Sequence, residues 1–318
     1  MSAATSNQLI VPTGLVYTAW LTTFGCSVKL HQNTLVVGAR NYSPSAAAVA
    51  AGRVYVYVKV AGGWQLQQEV GSSGPGGGYL FGDMVSVYGD YMATTETGYP
   101  LNSGRGYISI FKRTGTVWSL YQGRFTSGGA LRGYVGSGAC ALNGTSLLIG
   151  SPVYPTGGVK CGLVAVWVNN GTAYALQQYL SPTTYLTING RFGQSGAIDG
   201  DRIAIGSPAT PNGYASINHG TLYFYTRSGA TWTLAQTFEP PGVTGTDWGE
   251  LGTSVSMSST YAVAGAPSRT LNGIDCGSVC VYKWSGTQWA HVAELPHPLL
   301  TSGAKFGTSV TTAGNRII

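Results

Sequence analysis

Apolar and polar residues alternate along this chain in short runs of about five to seven residues, the period-two pattern of half-buried β-strands, and helical spacing is absent throughout. The strongest runs are Val54-Tyr55-Val56-Tyr57, Tyr107-Ile108-Ser109-Ile110-Phe111, Leu222-Tyr223-Phe224-Tyr225 and Val279-Cys280-Val281-Tyr282. Each opens behind a glycine, at Gly52, Gly106, Gly220 or Gly277. Upstream lies a second apolar run ending in Val37-Gly38-Ala39, Ile149-Gly150-Ser151-Pro152, Ile205-Gly206-Ser207-Pro208 or Ala264-Gly265-Ala266-Pro267. Downstream, a short turn leads to an aromatic at Trp64, Trp118, Tyr174, Trp232 or Trp289, and then to a last strand such as Gln65-Leu66-Gln67-Gln68.

These landmarks recur as a unit. Blade starts fall near Phe24, Phe81, Val135, Phe192, Leu251 and Phe306, at intervals of 57, 54, 57, 59 and 55 residues. Four antiparallel strands in about 56 residues are the content of one propeller blade. The expected fold is therefore an all-β propeller of four-stranded blades, a single domain over residues 1–318. Gln8-Leu9-Ile10-Val11 aligns with the fourth strand Gln65–Gln68, while Phe306–Ile318 supplies a first strand and part of a second. A sixth blade shared between the two ends, with Gln8–Val11 in one sheet with Thr308–Thr312, would close the ring and remove free sheet edges.

Phe-Gly-x-Ser-Val, Val-Gly-Ala-Pro, Gly-x-Val-Tyr-Val-Tyr and Gly-x-x-Trp in register resemble the FG-GAP repeats of the integrin α-subunit head, and more closely the bacterial and viral variety. The resemblance covers residues 7–318. It implies adhesion. It also implies calcium loops of the Asp-x-Asp-x-Asp-Gly kind, which this chain lacks: its hairpins read His31-Gln32-Asn33, Tyr88-Gly89-Asp90, Asn143-Gly144-Thr145, Asp199-Gly200-Asp201, Ser258-Ser259-Thr260 and Ala313-Gly314-Asn315. None offers the several oxygen ligands calcium needs, so Asp199 and Asp201 read as turn formers and neither metal nor cofactor is expected.

Composition agrees with strands joined by tight turns: 48 glycines in 318 residues, and only 9% charged. The formal charge of +6 is spread singly, with Lys112-Arg113 the one adjacent basic pair, so nucleic acid is not an expected partner. The five cysteines, Cys26, Cys140, Cys161, Cys276 and Cys280, lack metal-site spacing, and few or no disulfides are expected, with Cys161 and Cys276 the more reactive. The N-terminal residues show neither a basic leader nor an apolar span, which argues against ordinary secretion and membrane insertion.

Repeating positions build a fold, so function is sought where the repeats differ. The long connections after second and fourth strands emerge on one face, and they carry the candidate ligand-binding residues Tyr42, Tyr99, Tyr154, Tyr214, Asp247, Trp248, Glu250, Arg269, Asn272 and Asp275. Tyr79 and Tyr185 lie in the same loops. No catalytic motif is apparent. His31, His219, His291 and His297 fall at unrelated blade positions, and no elbow around a nucleophilic serine is present. The expected function is a non-catalytic interaction or adhesion module on a virion or cell surface, binding a receptor protein, a glycan or a neighbouring subunit. A purely structural subunit of a capsid, spike or filament is the alternative, followed by a propeller-fold enzyme.

Overall fold

A computed structural model describes residues 8, 10, 23–44, 48–74, 77–98, 106–125, 136–156, 159–182, 189–209, 218–242, 249–314 and 316–318. It comprises two compact units, residues 1–103 with 107–125, and residues 104–106 with 126–318. Among the described residues there are five four-stranded antiparallel sheets and no helix, a propeller-like arrangement. Among the described residues no helix is long and apolar enough to cross a membrane.

The first unit holds Phe24–His31, Thr34–Ala39, Arg53–Val60 and Gly63–Gly71 as one sheet, and Phe81–Tyr88, Tyr91–Glu96, Tyr107–Thr114 and Val117–Phe125 as the next. In the second unit, Cys140–Asn143, Ser146–Ser151, Leu163–Asn169 and Tyr174–Leu180 form the third sheet. Ser195–Asp199, Arg202–Ser207, Thr221–Ser228 and Thr231–Phe238 form the fourth; Ser254–Met257, Tyr261–Ala266, Ser278–Trp284 and Trp289–Pro296 form the fifth. A hairpin of Thr312–Ala313 with Arg316–Ile317 follows. The connections between second and third strands are expected to be long, variable loops. In the third and fifth sheets they fold into two-stranded ribbons, Pro155–Thr156 with Val159–Lys160 and Thr270–Leu271 with Ile274–Asp275.

The signature Phe-Gly makes a tight turn. In each of the five described copies the fourth residue's N–H bonds back to the carbonyl before the Phe-Gly, as Thr253 to Glu250 and Thr308 to Lys305, both at 3.2 Å. Gly252 and Gly307 take φ of 92° and 91°, the third-position conformation of a type II turn. The turn then presses against the preceding sheet. Parallel bridges join Gly52 to Phe81, Gly162 to Phe192, Gly220 to Leu251 and Gly277 to Phe306. Ser195 and Ser254 hydroxyls donate to the carbonyls of Gly252 and Gly307 at 2.7 and 2.8 Å.

A second device links the outer strands. Every fourth strand among the described residues carries a bulge, with Gln67, Tyr121, Gln177, Ala235 or Val292 as the extra residue, and Val117–Phe125 has a second register shift nearer its end. In the first, third and fourth sheets the glutamine after the bulge reaches the next sheet and brackets the backbone of its aromatic. Gln178 Nε2 donates to the Trp232 carbonyl at 2.8 Å while Trp232 N–H donates to Gln178 Oε1 at 2.7 Å. Gln68 treats Trp118 in the same way, and Gln236 treats Trp289. A bulge lets neighbouring side chains point to one side, so Gln67 and Gln177 also accept the indole N–H of Trp118 and Trp232, at 3.0 and 2.9 Å. At the following junction the bulge residue is Ala235, and the buried Trp289 Nε1 has no partner. Ala235→Gln should supply it and stabilise the protein by about 1 kcal/mol, read as a raised denaturation midpoint. An unchanged midpoint would show that the indole is already satisfied.

Gln8 corrects one alignment. It brackets Trp64, with bonds of 2.8 and 2.6 Å, and so corresponds to Gln68 rather than to Gln65. Leu9 and Val11, on which the expected shared blade depends, lie outside the described residues.

The hairpin aspartates serve as braces. Asp90 accepts from Arg113 Nε at 2.8 Å and Asp201 from Arg227 Nε at 2.7 Å, while each guanidinium lies over the adjacent indole of Trp118 or Trp232. All five cysteines are free. The expected reactivity of Cys161 and Cys276 is corrected, because both are buried where the preceding sheet meets the next Phe-Gly turn. Cys26 is the exposed one, and partial burial holds its thiol above the usual range.

Candidate functional site

The residue before each Phe-Gly is not glycine, yet it is left-handed wherever described: Thr23, Leu80, Arg191, Glu250 and Lys305 have φ of 44°, 55°, 58°, 56° and 53°. Such backbone is strained for a residue with a Cβ, and because all five described copies share it the corner belongs to the scaffold, while the side chain that it carries differs from copy to copy. Two of these corners converge. Ser268, directly after Ala264-Gly265-Ala266-Pro267, donates its hydroxyl to Glu250 Oε2 at 2.6 Å. Lys305 Nζ donates to the same Ser268 Oγ at 2.9 Å. A half-buried serine thus sits between a carboxylate and an ammonium, giving up a proton to one and receiving a hydrogen bond from the other. Asp275 lies 3.7 Å from Lys305 Nζ, but both side chains are about half exposed, so this pair contributes little to stability.

Behind the trio a buried arginine pairs with a partly buried glutamate. Arg269 Nε donates to Glu294 Oε1 at 2.9 Å, which also accepts from Ser278 Oγ at 2.7 Å, and the Arg269 guanidinium donates to the Pro241 carbonyl. His219 is buried, and that burial pushes its ring toward the neutral form; Glu239 opposes the shift and Arg269 adds to it. Glu294 and Arg269 raise and lower the buried Cys280 thiol respectively, with burial the larger cause, leaving it at about 12 and inert.

The first unit holds a separate polar cluster where Thr94-Thr95-Glu96-Thr97 replaces Val-Gly-Ala-Pro. Glu96 is fully buried beside Arg124, whose guanidinium lies between the rings of Tyr79 and Tyr107 at 4.7 and 4.4 Å. Burial raises the Glu96 carboxyl; Arg124, Ser72 and Ser109 act the other way.

The residues expected to form one recognition surface divide. Glu250, Arg269 and Asp275 gather around Ser268, a residue the sequence did not single out, as it did not Lys305 or Glu294. Asn272 is exposed at the tip of the small ribbon, with φ of 52°. Three expectations of exposed loop residues are corrected. Arg269 is 5% exposed and Tyr79 2%, each drawn in by its charged or aromatic partner, and half-buried Tyr42 packs under Arg53 at 4.3 Å. Tyr154 is half-buried and its backbone receives the Gly162 N–H. Tyr99, Tyr185, Tyr214, Asp247 and Trp248 lie outside the described residues.

No family model matches the chain. Among solved structures it is similar to a putative 6-phosphogluconolactonase from Bacteroides uniformis, with a TM-score of 0.53 and 11% identity over 86% of this chain and 72% of that one. It is also similar to a hypothetical selenium-binding protein from Sulfolobus tokodaii, with a TM-score of 0.51 and 10% identity over 83% of this chain and 59% of that one. At such identities the likeness concerns the fold. The expectation of an adhesion module is corrected on this ground: the folds that this chain matches carry the names of a putative 6-phosphogluconolactonase and a hypothetical selenium-binding protein, and neither name is that of an adhesin.

Proposed function

We propose that the chain is a propeller-fold hydrolase of small esters or lactones, with Ser268 as nucleophile, Glu250 as general base and Lys305 as electrostatic support. The finer architectural reading, an FG-GAP-type propeller of six blades, belongs to the same proposal. One observation carries it: the Ser268 hydroxyl bridges a carboxylate at 2.6 Å and an ammonium at 2.9 Å in a half-buried position. Glu250 takes the hydroxyl proton as Oγ bonds to the carbonyl carbon, and the ester C–O bond breaks as that proton passes to the leaving oxygen. Water, deprotonated by the same carboxylate, then attacks the acyl-serine, and the acid leaves as Oγ recovers a proton. Lys305 offsets the negative charge that gathers beside Oγ in both steps.

The name of the Bacteroides uniformis structure makes 6-phosphogluconolactone the first compound to test, with p-nitrophenyl acetate as a generic acyl donor. Turnover should fall by about 100-fold or more in Ser268→Ala and Glu250→Gln, the range of a lost nucleophile or base, with thermal midpoints near wild type. Hydrolysis no faster than in buffer, or equal in the Ser268→Ala protein, would rule the reading out.

A further inference from the structure

The hairpin after the first strand of the first sheet reads His31-Gln32-Asn33, and the second sheet has Tyr88-Gly89-Asp90 in its place. These two tips meet inside the first unit. Tyr88 and Tyr91 are the last pair of their ladder, so Gly89, at φ 57°, lies beyond it, and its N–H bonds outside the hairpin, to His31 Nδ1 at 3.1 Å. The His31 ring also lies against the Tyr88 ring, with centroids 4.2 Å apart and planes 35° from parallel. The fifth sheet joins the corresponding two positions with a hydroxyl, Ser258 Oγ donating to the Gly314 carbonyl at 3.5 Å. A hydroxyl donates or accepts without a change of charge. An imidazole nitrogen does not: Nδ1 accepts the Gly89 N–H only while its lone pair is free, which fixes the proton of the neutral ring on Nε2.

We infer that His31 is a proton-operated latch between the first two hairpin tips, closed by the neutral ring and opened when Nδ1 takes a proton. A protonated Nδ1 is a donor facing a donor, so the 3.1 Å contact cannot persist and the Gly89 N–H must turn to water. Stacking on Tyr88 survives the change; the bond to Gly89 does not. The charged groups at this corner offer the imidazolium no replacement. Asp90 Oδ1 accepts from Arg113 Nε, and the same guanidinium donates to Thr34, the residue paired with His31. Lys29, two residues before His31 on the same strand, lies on the same face and adds a like charge. The sheets are also joined by that Arg113–Thr34 bond and by a core of Val36, Val54, Val85 and Val87, so opening loosens the corner without unfolding the unit.

The sign follows from the acceptor role. Burial makes His31 bind a proton less readily folded than unfolded, so the latch contributes stability above the ordinary histidine value of 6.5 that is lost as pH falls through the ring's lower native value. The test needs no substrate. The full chain is titrated by NMR, following the His31 ring nitrogens, which report the tautomer, and the hydrogen exchange of the Gly89 amide corrected for its intrinsic rate. In wild type, protection of Gly89 should fall by about tenfold as the ring gains its proton, the weight of one hydrogen bond. His31→Asn offers a carbonyl oxygen close to where Nδ1 lies and does not titrate, so it should keep Gly89 protected across the range; His31→Leu should leave it unprotected at every pH. Protection indifferent to the ring's titration, a neutral ring that carries its proton on Nδ1, or a step at Gly89 that persists in His31→Asn would overturn the inference. If a variant fails to fold, the tautomer and the Gly89 titration of the wild-type chain decide the matter by themselves. His219, also driven toward its neutral form by burial, is common to all three proteins and cancels in the comparison.

Discussion

Trp232→Ala should destabilise the protein by about 3–5 kcal/mol, the usual cost of removing a buried indole. Trp232 is 2% exposed and belongs to a core shared by the third and fourth sheets, with Val166, Leu180, Phe192 and Tyr225. Lost packing is the larger part of the effect. The indole N–H bond to Gln177 is worth about 1 kcal/mol, and the Gln178 bracket holds backbone atoms that alanine also possesses. Gln177→Ala alone should therefore cost about 1 kcal/mol, and Trp232→Phe should fall between the two. Denaturant unfolding of the three variants orders them. A Trp232→Ala cost no larger than that of Gln177→Ala would mean that hydrogen bonding, rather than burial, joins the sheets.

Gly265→Ala should be comparably severe, about 3 kcal/mol, at the upper end of what overpacking costs. Alanine would satisfy the strand conformation there, since Gly265 is not among the glycines with positive φ. Its Cβ, however, would sit 1.8 Å from the Gly307 carbonyl oxygen and 2.5 Å from Ser254 Oγ, the two atoms that bond each other across the junction. Neither can withdraw without breaking that bond. Gly206 and Gly150 meet the next turn in the same way, at 2.0 and 2.1 Å. Gly62→Ala is the control: nothing lies within 4 Å of its added Cβ, so its midpoint should stay within about 0.5 kcal/mol of wild type. Equal costs for Gly62→Ala and Gly265→Ala would show that the junction yields freely.

Much of the scaffold was legible because repetition turns a local pattern into a global one. The Phe-Gly and Val-Gly-Ala-Pro motifs, the glycine opening each third strand and the aromatic opening each fourth strand all fall where the sheets begin, turn and meet. The bracketing glutamines were visible as letters but not as a device. In a regular strand Gln67 and Gln68 would face opposite sides, and only the bulge between Val56 and Tyr57 brings both onto Trp118.

The candidate site was legible only in part. Glu250, Arg269 and Asp275 stood out as charges in variable loops, whereas Ser268 and Lys305 did not. Their bond spans 37 residues and that of Ser268 to Glu250 spans 18, and neither interval carries a signature. The left-handed corners that aim Glu250 and Lys305 are invisible in sequence as well, because no glycine marks them. His219 looked like one histidine among four until the fold buried it, 2% exposed where its carbonyl receives the Leu251 N–H. By itself the sequence determined strand period, repeat length and the glycine turns, since these depend on residues near each other in the chain. Which charges meet, which tyrosines are buried and which histidine is closed off were decided by the packing of one sheet on the next, where distance in space no longer follows distance in sequence.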